Sequence, residues 1–259
     1  MTEEAGGRVV GRAAALSALD IAKLLYSLCL CAPMIFVIGT FTVIATGVLY
    51  RIYHPEQWVG TLPSISGSSS EPPTSIFFMW LMMPTAFCIV AAWTVKLVMD
   101  WQRVGALPAS RQRVVLAALN VATWSAGALA GLALAALAIV SLGKGHDFHM
   151  ASSYVFYIAQ LVSFILDGVA VVGLRRAGIG ADGPFGRSTA RGKLLVGGTC
   201  LVAGLFFCFM YNVRAFVPAA SLYTAQEIYV ASEYLVALAC FAYPLTSYRE
   251  ARAYFRALL

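Results

Sequence analysis

Six long runs of apolar residues, separated by short polar segments, make up most of the 259-residue chain. A helix needs about 20 residues to cross about 30 Å of hydrocarbon, and each run is at least that long. The pattern predicts an all-α, polytopic membrane protein with six transmembrane helices in a single domain, residues 1–259. The predicted spans are approximately residues 21–50, 76–99, 114–142, 150–174, 194–216 and 223–246.

The composition agrees with a membrane protein. Apolar residues form 60% of the chain and charged residues 12%, whereas a soluble domain carries about 25% charged residues. The mean hydropathy is +0.79. All six cysteines fall in apolar runs, which favours small hydrophobic residues inside a helix bundle over a disulfide framework or a zinc cluster. We therefore expect no metal and no cofactor.

The basic residues are distributed unequally between the two sides that six spans would create. Only three of the 18 lysines and arginines, namely Arg51, Lys144 and Arg214, fall on the side of the polar loop at residues 51–75. Cytoplasmic segments carry the excess of basic residues in membrane proteins. This distribution predicts that both termini are cytoplasmic and that the loop is lumenal or external. The net charge of +6 then reflects topology, and no nucleic-acid partner is needed to explain it.

Several positions within the spans have predictable local effects. Pro33 is expected to kink the first helix because proline cannot donate a backbone hydrogen bond. Gly127 and Gly131 have the GxxxG spacing that lets two helix backbones approach closely in lipid. Lys96, near the end of the second span, is expected to extend its ammonium group to the membrane interface.

Three ionisable residues, Asp167, Arg214 and Glu233, lie within predicted spans. Inserting such a group costs about 2.5–3.5 kcal/mol, which makes each a functional candidate. Glu233 is expected about 15 Å into the sixth span, at 1.5 Å per residue, where Arg214 could reach it. The two could form an ion pair that only fixes packing, or they could bind a lipid headgroup or acyl carbonyl. Asp167 is expected to hydrogen-bond to a neighbouring helix.

Histidines and serines supply the candidate chemistry on the side of the polar loop. His54, His146 and His149 all fall on this side, but the HxxH spacing in a turn does not match a helical zinc motif. Hydrogen bonding to lipid or loop carbonyls is the favoured role. Ser64 and Ser66 could be nucleophiles with a histidine as base, or they could simply be turn residues.

Four segments resemble a known family when taken together. They are His54 with Leu62-Pro-Ser-Ile-Ser66 and Glu71-Pro, then Asp147-Phe-His149, then Glu233-Tyr234, and, more loosely, Tyr211-Asn-Val-Arg214. They are similar to motifs of the FRAG/DRAM/Sfk superfamily. The greatest similarity is to its GPI-anchor lipid-remodelling members, the post-GPI-attachment-to-proteins factors and the amino-terminal domain of the yeast CWH remodelling protein.

The resemblance implies a function and a set of site residues. It implies a Golgi or endoplasmic-reticulum protein that acts on the lipid part of GPI anchors at the lumenal leaflet, by fatty-acid exchange or by reacylation of a lyso-GPI. The protein would be an acyltransferase or an accessory factor, with GPI-anchored protein lipids or phospholipids as partners. The candidate catalytic residues are His54, His149 and Glu233. The candidate substrate-binding residues are Ser64, Ser66, Asp147, Tyr211, Asn212, Arg214 and Tyr234.

On this interpretation the polar loop is a lid over an intramembrane lipid pocket, with His54 at its hinge. The alternative function is a non-enzymatic lipid-binding or trafficking protein that modulates autophagy, as in the DRAM and Sfk branches. A small channel or transporter is disfavoured because the sequence has no inverted repeat and no polar stripe that could line a pore.

Overall fold

The computed structural model describes residues 19–57, 63–178, 186–213 and 216–258. The described residues form helices and no strands, which confirms the all-α class. The helices are α1 (Cys31–Tyr53), α2 (Ile65–Ser68), α3 (Thr74–Gly105), α4 (Arg111–Ile139), α5 (His146–Arg176), α6 (Gly186–Val213), α7 (Ala219–Ala242) and α8 (Leu245–Leu258), with a 3₁₀ turn at Pro55–Gln57.

Six helical spans are long and apolar enough to cross a membrane, as the sequence predicts. They are Leu19–Tyr53, Thr74–Gly105, Arg111–Ile139, His146–Arg176, Ala190–Val213 and Ser221–Arg256. Several of these helices continue beyond the apolar runs. The last turns of α3, for example, include polar residues from Asp100 to Arg103. A formed helix gains one hydrogen bond for each residue added, so propagation through polar residues is favourable.

The polar segments gather at two ends of the bundle. We call the end with residues 54–57, 63–73 and 140–145 the loop end, and the end with residues 105–110, 176–178 and 245–258 the basic end. At the loop end, a Cβ atom on Gly143 would lie 3.0 Å from the carbonyl oxygen of Ser70. At the basic end, Arg103 pairs with Glu250 of α8. The cytoplasmic position of the basic end and of both termini stays a prediction from the charge distribution.

The hydrogen-bond pattern of the first span is interrupted one turn before Pro33, where the sequence predicts a kink. The regular helix stops at Cys29 and Leu30 and resumes at Cys31. Pro33 has no N–H to donate to the carbonyl oxygen of Cys29, four residues earlier. That oxygen instead accepts a longer hydrogen bond, 3.4 Å, from the backbone N–H of Ala32.

Helices α3 and α4 approach closely at the two glycines of the GxxxG motif. A Cβ atom on Gly127 would lie 2.3 Å from the ring of Trp93, and one on Gly131 would lie 3.0 Å from the carbonyl oxygen of Ala86. Atoms cannot approach to these distances without displacement, so a side chain at either position would push the helices apart. The predicted close approach is confirmed.

The core is formed by apolar side chains from seven of the described helices, α1 to α7. Its centre includes Ile35, Met82, Leu134, Phe156, Cys200 and Val236. Five of the six cysteines are buried and Cys208 is exposed. The fifth span lies at the periphery. Only 22% of its most apolar stretch is buried, whereas the corresponding fraction is 39% or more in the other spans. This span therefore presents most of its surface to lipid.

Candidate functional site

The part of the polar loop at residues 64–70 folds into a compact turn, in which serine hydroxyls bond to the turn's own backbone. The Ser64 hydroxyl caps α2 by accepting a 3.0 Å hydrogen bond from the backbone N–H of Gly67. The hydroxyls of Ser68, Ser69 and Ser70 each donate to a backbone carbonyl three residues earlier, at 3.0, 3.2 and 2.7 Å. Because buried polar groups need partners, this serine-rich sequence allows the turn to be buried.

Two consecutive residues of α7 hold this turn. The Glu233 carboxylate accepts a 2.9 Å hydrogen bond from the backbone N–H of Ile65 and a 3.3 Å hydrogen bond from the Ser66 hydroxyl. Glu233 is only 3% exposed. The Tyr234 hydroxyl donates to the carbonyl oxygen of Pro63 at 3.3 Å. The Glu-Tyr pair of α7 thus recognises the loop mainly through its backbone.

The loop is inserted between the helices. A Cβ atom on Gly47 of α1 would lie 4.0 Å from the side chain of Pro63, a loop residue, and 2.9 Å from the Tyr234 hydroxyl of α7. Gly47 precedes the end of α1, Tyr53, by six residues, which corresponds to about 9 Å along a helix. Ile65 and Ser66 of the loop occupy the space beside Glu233, and the lid over a lipid pocket stays a prediction.

His54 follows the last turn of α1 and lies beside an acidic residue of the loop. Its Nδ1 is 3.9 Å from Oε2 of Glu71, and its ring centroid is 4.8 Å from that of Tyr50. Its Nε2 is buried and has no hydrogen-bond partner among the described residues. One imidazole nitrogen beside a carboxylate and the other without a partner is an arrangement suited to a general base.

The two histidines that begin α5 occupy different environments. His149 is 1% exposed, and its Nδ1 is 2.8 Å from the carbonyl oxygen of Val140. This contact assigns the proton to Nδ1 and leaves Nε2 as a buried acceptor without a partner in the described part of the chain. His146 is exposed beside Asp147, at 3.2 Å. Within the described ranges, no three His, Cys, Asp or Glu residues are grouped so that they could hold a metal ion.

The other candidates from the end of α6 are placed less centrally. The ring of Tyr211 is 6.4 Å from that of Tyr154 and 6.0 Å from that of Tyr229, so it packs among aromatic side chains. The side-chain amide of Asn212 donates to the carbonyl oxygen of Cys208 at 2.7 Å and is exposed. Both residues lie near the loop end, but neither contact points to a ligand.

The structure therefore brings together some of the residues predicted to form the catalytic and substrate-binding site. Glu233, Ser66 and Tyr234 meet in one hydrogen-bonded unit with the loop, and Ser64 caps the helix inside that unit. Asp147 is fully exposed. Arg214 lies outside the described residues, so its predicted pairing with Glu233 stays a prediction.

A second polar cluster lies in the basic half of the bundle, and most of it was not anticipated from the sequence. Asp167 of α5 lies 2.8 Å from the ammonium group of Lys96 and 3.0 Å from that of Lys193. It also accepts a 2.8 Å hydrogen bond from the Tyr243 hydroxyl. Lys96 in turn pairs with Asp100. The predicted bond from Asp167 to a neighbouring helix is confirmed, and it is one of several.

This cluster continues to the last helix. Arg103 lies 3.4 Å from Asp100 and also pairs with Glu250 of α8. When ionised, the three cations and three carboxylates cancel, so the cluster has no net charge. A buried charge that loses its partner is costly, so this balance is a condition of its stability. We call it the buried charge network; it comprises Lys96, Asp100, Arg103, Asp167, Lys193 and Glu250.

The prediction for Lys96 was wrong. Lys96 is only 6% exposed. Its ammonium group points inward to the carboxylates of Asp100 and Asp167 and not outward to the interface. Lys193, expected in the loop before the fifth span, is buried within α6. One sequence signal was available, because Lys96 and Asp100 are opposite charges four residues apart and share a helix face.

The fold defines a multi-pass, α-helical integral membrane protein with an inserted loop at one end and a buried charge network at the other. The family model described as Frag1/DRAM/Sfk1/Cwh43P N-terminal domain matches residues 25–253. The chain belongs to this family, which confirms the resemblance seen in the sequence. No curated protein and no solved structure matches the chain.

Proposed function

We propose that this protein remodels the lipid part of GPI anchors in the leaflet at the loop end, as an acyltransferase or as an accessory factor, in the Golgi or endoplasmic-reticulum membrane. Membership of the family supports this proposal. The observation that carries it is His54, whose buried Nε2 has no partner among the described residues while its Nδ1 faces Glu71.

In this proposal the groups at the loop end have separate roles. Acyl transfer requires a base for the attacking hydroxyl and a group that stabilises the developing oxyanion. His54 would accept the proton from the lipid hydroxyl at Nε2, and Glu71 would orient the imidazole ring. Glu233 would act through the loop, since its carboxylate holds Ile65 and Ser66. His149 is a second candidate base because its Nε2 also has no partner in the described ranges.

The proposal is tested by the anchor lipids of cells that lack this protein and are complemented with variants. His54→Ala should cause unremodelled or lyso-type GPI anchors to accumulate, because the base is lost. Lys144→Ala is the matched control, since Lys144 is an exposed residue at the same end. Mass spectrometry of the released anchors gives the result. Normal anchor lipids in cells that express His54→Ala at the wild-type level would contradict the proposal.

A non-enzymatic lipid-binding protein is the second candidate function. This function is favoured because three of the candidate site residues, Glu233, Ser64 and Ser66, form hydrogen bonds that hold the loop in place. Purified protein in lipid, supplied with a labelled acyl donor and a lyso-lipid acceptor, separates the two candidates. Labelled diacyl product that is lost in His54→Ala excludes the non-enzymatic function, whereas lipid binding without product supports it.

A further inference from the structure

A cleft of about 780 Å³ opens between α5 and α6 in the basic half of the bundle, with the first turns of α4 as its floor. Ligand pockets commonly have volumes of about 300–1,000 Å³. The side chains that line the cleft are mostly apolar, and several of these side chains are also exposed at the surface of the protein. The cleft is therefore open towards the hydrocarbon of the membrane. Its apolar walls include Val115, Leu119, Ile165, Val169, Leu194 and Leu201.

Two of the four glycines that line the cleft face open space. Gly168 of α5 and Gly198 of α6 both line it, and a Cβ atom added to either residue would have no neighbouring atom within 4 Å. They differ from Gly127, where a Cβ atom would collide with Trp93. The glycines at the cleft therefore leave space that protein atoms do not fill, as a site for a lipid chain requires.

The charged residues among the described residues that line the cleft are all basic. Arg111 and Arg176 are exposed at its basic end, and Lys193 lies in its wall, where it pairs with Asp167. No acidic residue occurs among the described residues that line the cleft. The cleft thus combines apolar walls with two exposed guanidinium groups at one edge. This combination matches a lipid with an anionic headgroup, because guanidinium groups form bidentate hydrogen bonds to phosphate.

We propose that this cleft binds one phospholipid with an anionic headgroup. An acyl chain lies between α5 and α6, and the headgroup contacts Arg111 and Arg176. The basic end is the predicted cytoplasmic end, and anionic lipids are concentrated in the cytoplasmic leaflet. The site lies at the opposite end from His54 and Glu233, so the proposal stands or falls independently of GPI-anchor remodelling.

The headgroup contact is tested by native mass spectrometry of the purified protein with two probes, phosphatidylserine and phosphatidylcholine with identical acyl chains. The wild-type protein should retain phosphatidylserine preferentially. The double variant Arg111→Ala/Arg176→Ala should bind phosphatidylserine roughly tenfold more weakly, because cations near the membrane surface attract anionic lipids. Its affinity for phosphatidylcholine should fall by a smaller factor, because that headgroup contains the same phosphate but has no net charge. Equal affinity of the wild-type protein for both lipids, or no loss in the double variant, would overturn the proposal.

The acyl-chain contact is tested by filling the cleft. Gly198→Phe should reduce the binding of both lipids, whereas Val202→Phe on the same helix should not, because Val202 is exposed outside the cleft. Gly168→Leu fills the opposite wall and should act like Gly198→Phe. Thermal unfolding of each variant shows that it is folded. Lipid binding by folded Gly198→Phe and Gly168→Leu at the wild-type level would place the lipid elsewhere. Displacement of phosphatidylserine by millimolar inorganic phosphate would mean that the site recognises an ion and not a lipid.

Discussion

The buried charge network should be most sensitive to the loss of Asp167. In the substitution Asp167→Asn the shape of the side chain is kept but its charge is removed. The carboxylate lies within 3.0 Å of both Lys96 and Lys193, so the substitution leaves two buried ammonium groups without their shared partner. The network changes from no net charge to a net charge of one.

The expected cost can be assigned from these contacts. Removing one partner from a buried ion pair destabilises a protein by about 3–5 kcal/mol. For a protein of this size, such a change corresponds to a fall in Tm of roughly 10 °C. Asp167→Asn combined with Lys193→Met restores the charge balance, so the double variant should recover part of the loss. Asp147→Asn is the control, since this carboxylate is fully exposed, and it should stay within about 0.5 kcal/mol of wild type.

A thiol-reactive fluorescent dye can follow the unfolding of the purified protein in detergent, because five of its six cysteines are buried. Asp167→Asn should expose these thiols at a much lower temperature than wild type. If Asp167→Asn melts within 1–2 °C of wild type, or if adding Lys193→Met lowers Tm further by its full separate effect, then the network does not act as a balanced unit.

Two further predictions concern packing and the loop. Gly127→Val should destabilise the fold by about 1–3 kcal/mol through overpacking against Trp93. Gly168→Val should not, because its side chain would meet no neighbour. Equal melting temperatures of the two variants would contradict the close approach of α3 and α4. Tyr234→Phe removes the hydrogen bond to Pro63 and should cost about 1 kcal/mol, with faster amide hydrogen exchange in residues 64–70. Unchanged exchange there would show that Tyr234 does not hold the loop.

The six spans could be predicted because lipid permits few alternatives. Backbone groups within hydrocarbon must be paired inside the segment, so a long apolar run is read as a helix with little ambiguity. The interruption before Pro33 and the close approach at Gly127 were predictable for similar reasons. Proline lacks a backbone N–H, and glycine lacks a side chain. Helix ends were less predictable because helices such as α3 continue through polar residues.

The buried charge network could not be predicted in full because its partners come from different helices. Asp167, Lys96 and Lys193 lie on α5, α3 and α6. Each lysine alone looks like a residue near a membrane interface, and Asp167 alone does not indicate its partner. Only the packing of those helices shows that they meet. The loop posed a related difficulty, since a Pro- and Ser-rich segment is typical of an exposed connector. Its burial depends on Glu233, which is 168 residues away in sequence from Ile65.

We propose that the loop end acts on the lipid part of GPI anchors. The most direct measurement is the lipid composition of GPI anchors in cells that lack the protein and express Glu233→Gln, compared with cells that express wild type. Glutamine at this position weakens the hold on Ile65 and Ser66, so we predict unremodelled or lyso-type anchors. Anchor lipids identical to wild type, and unchanged even without any copy of the protein, would contradict the account.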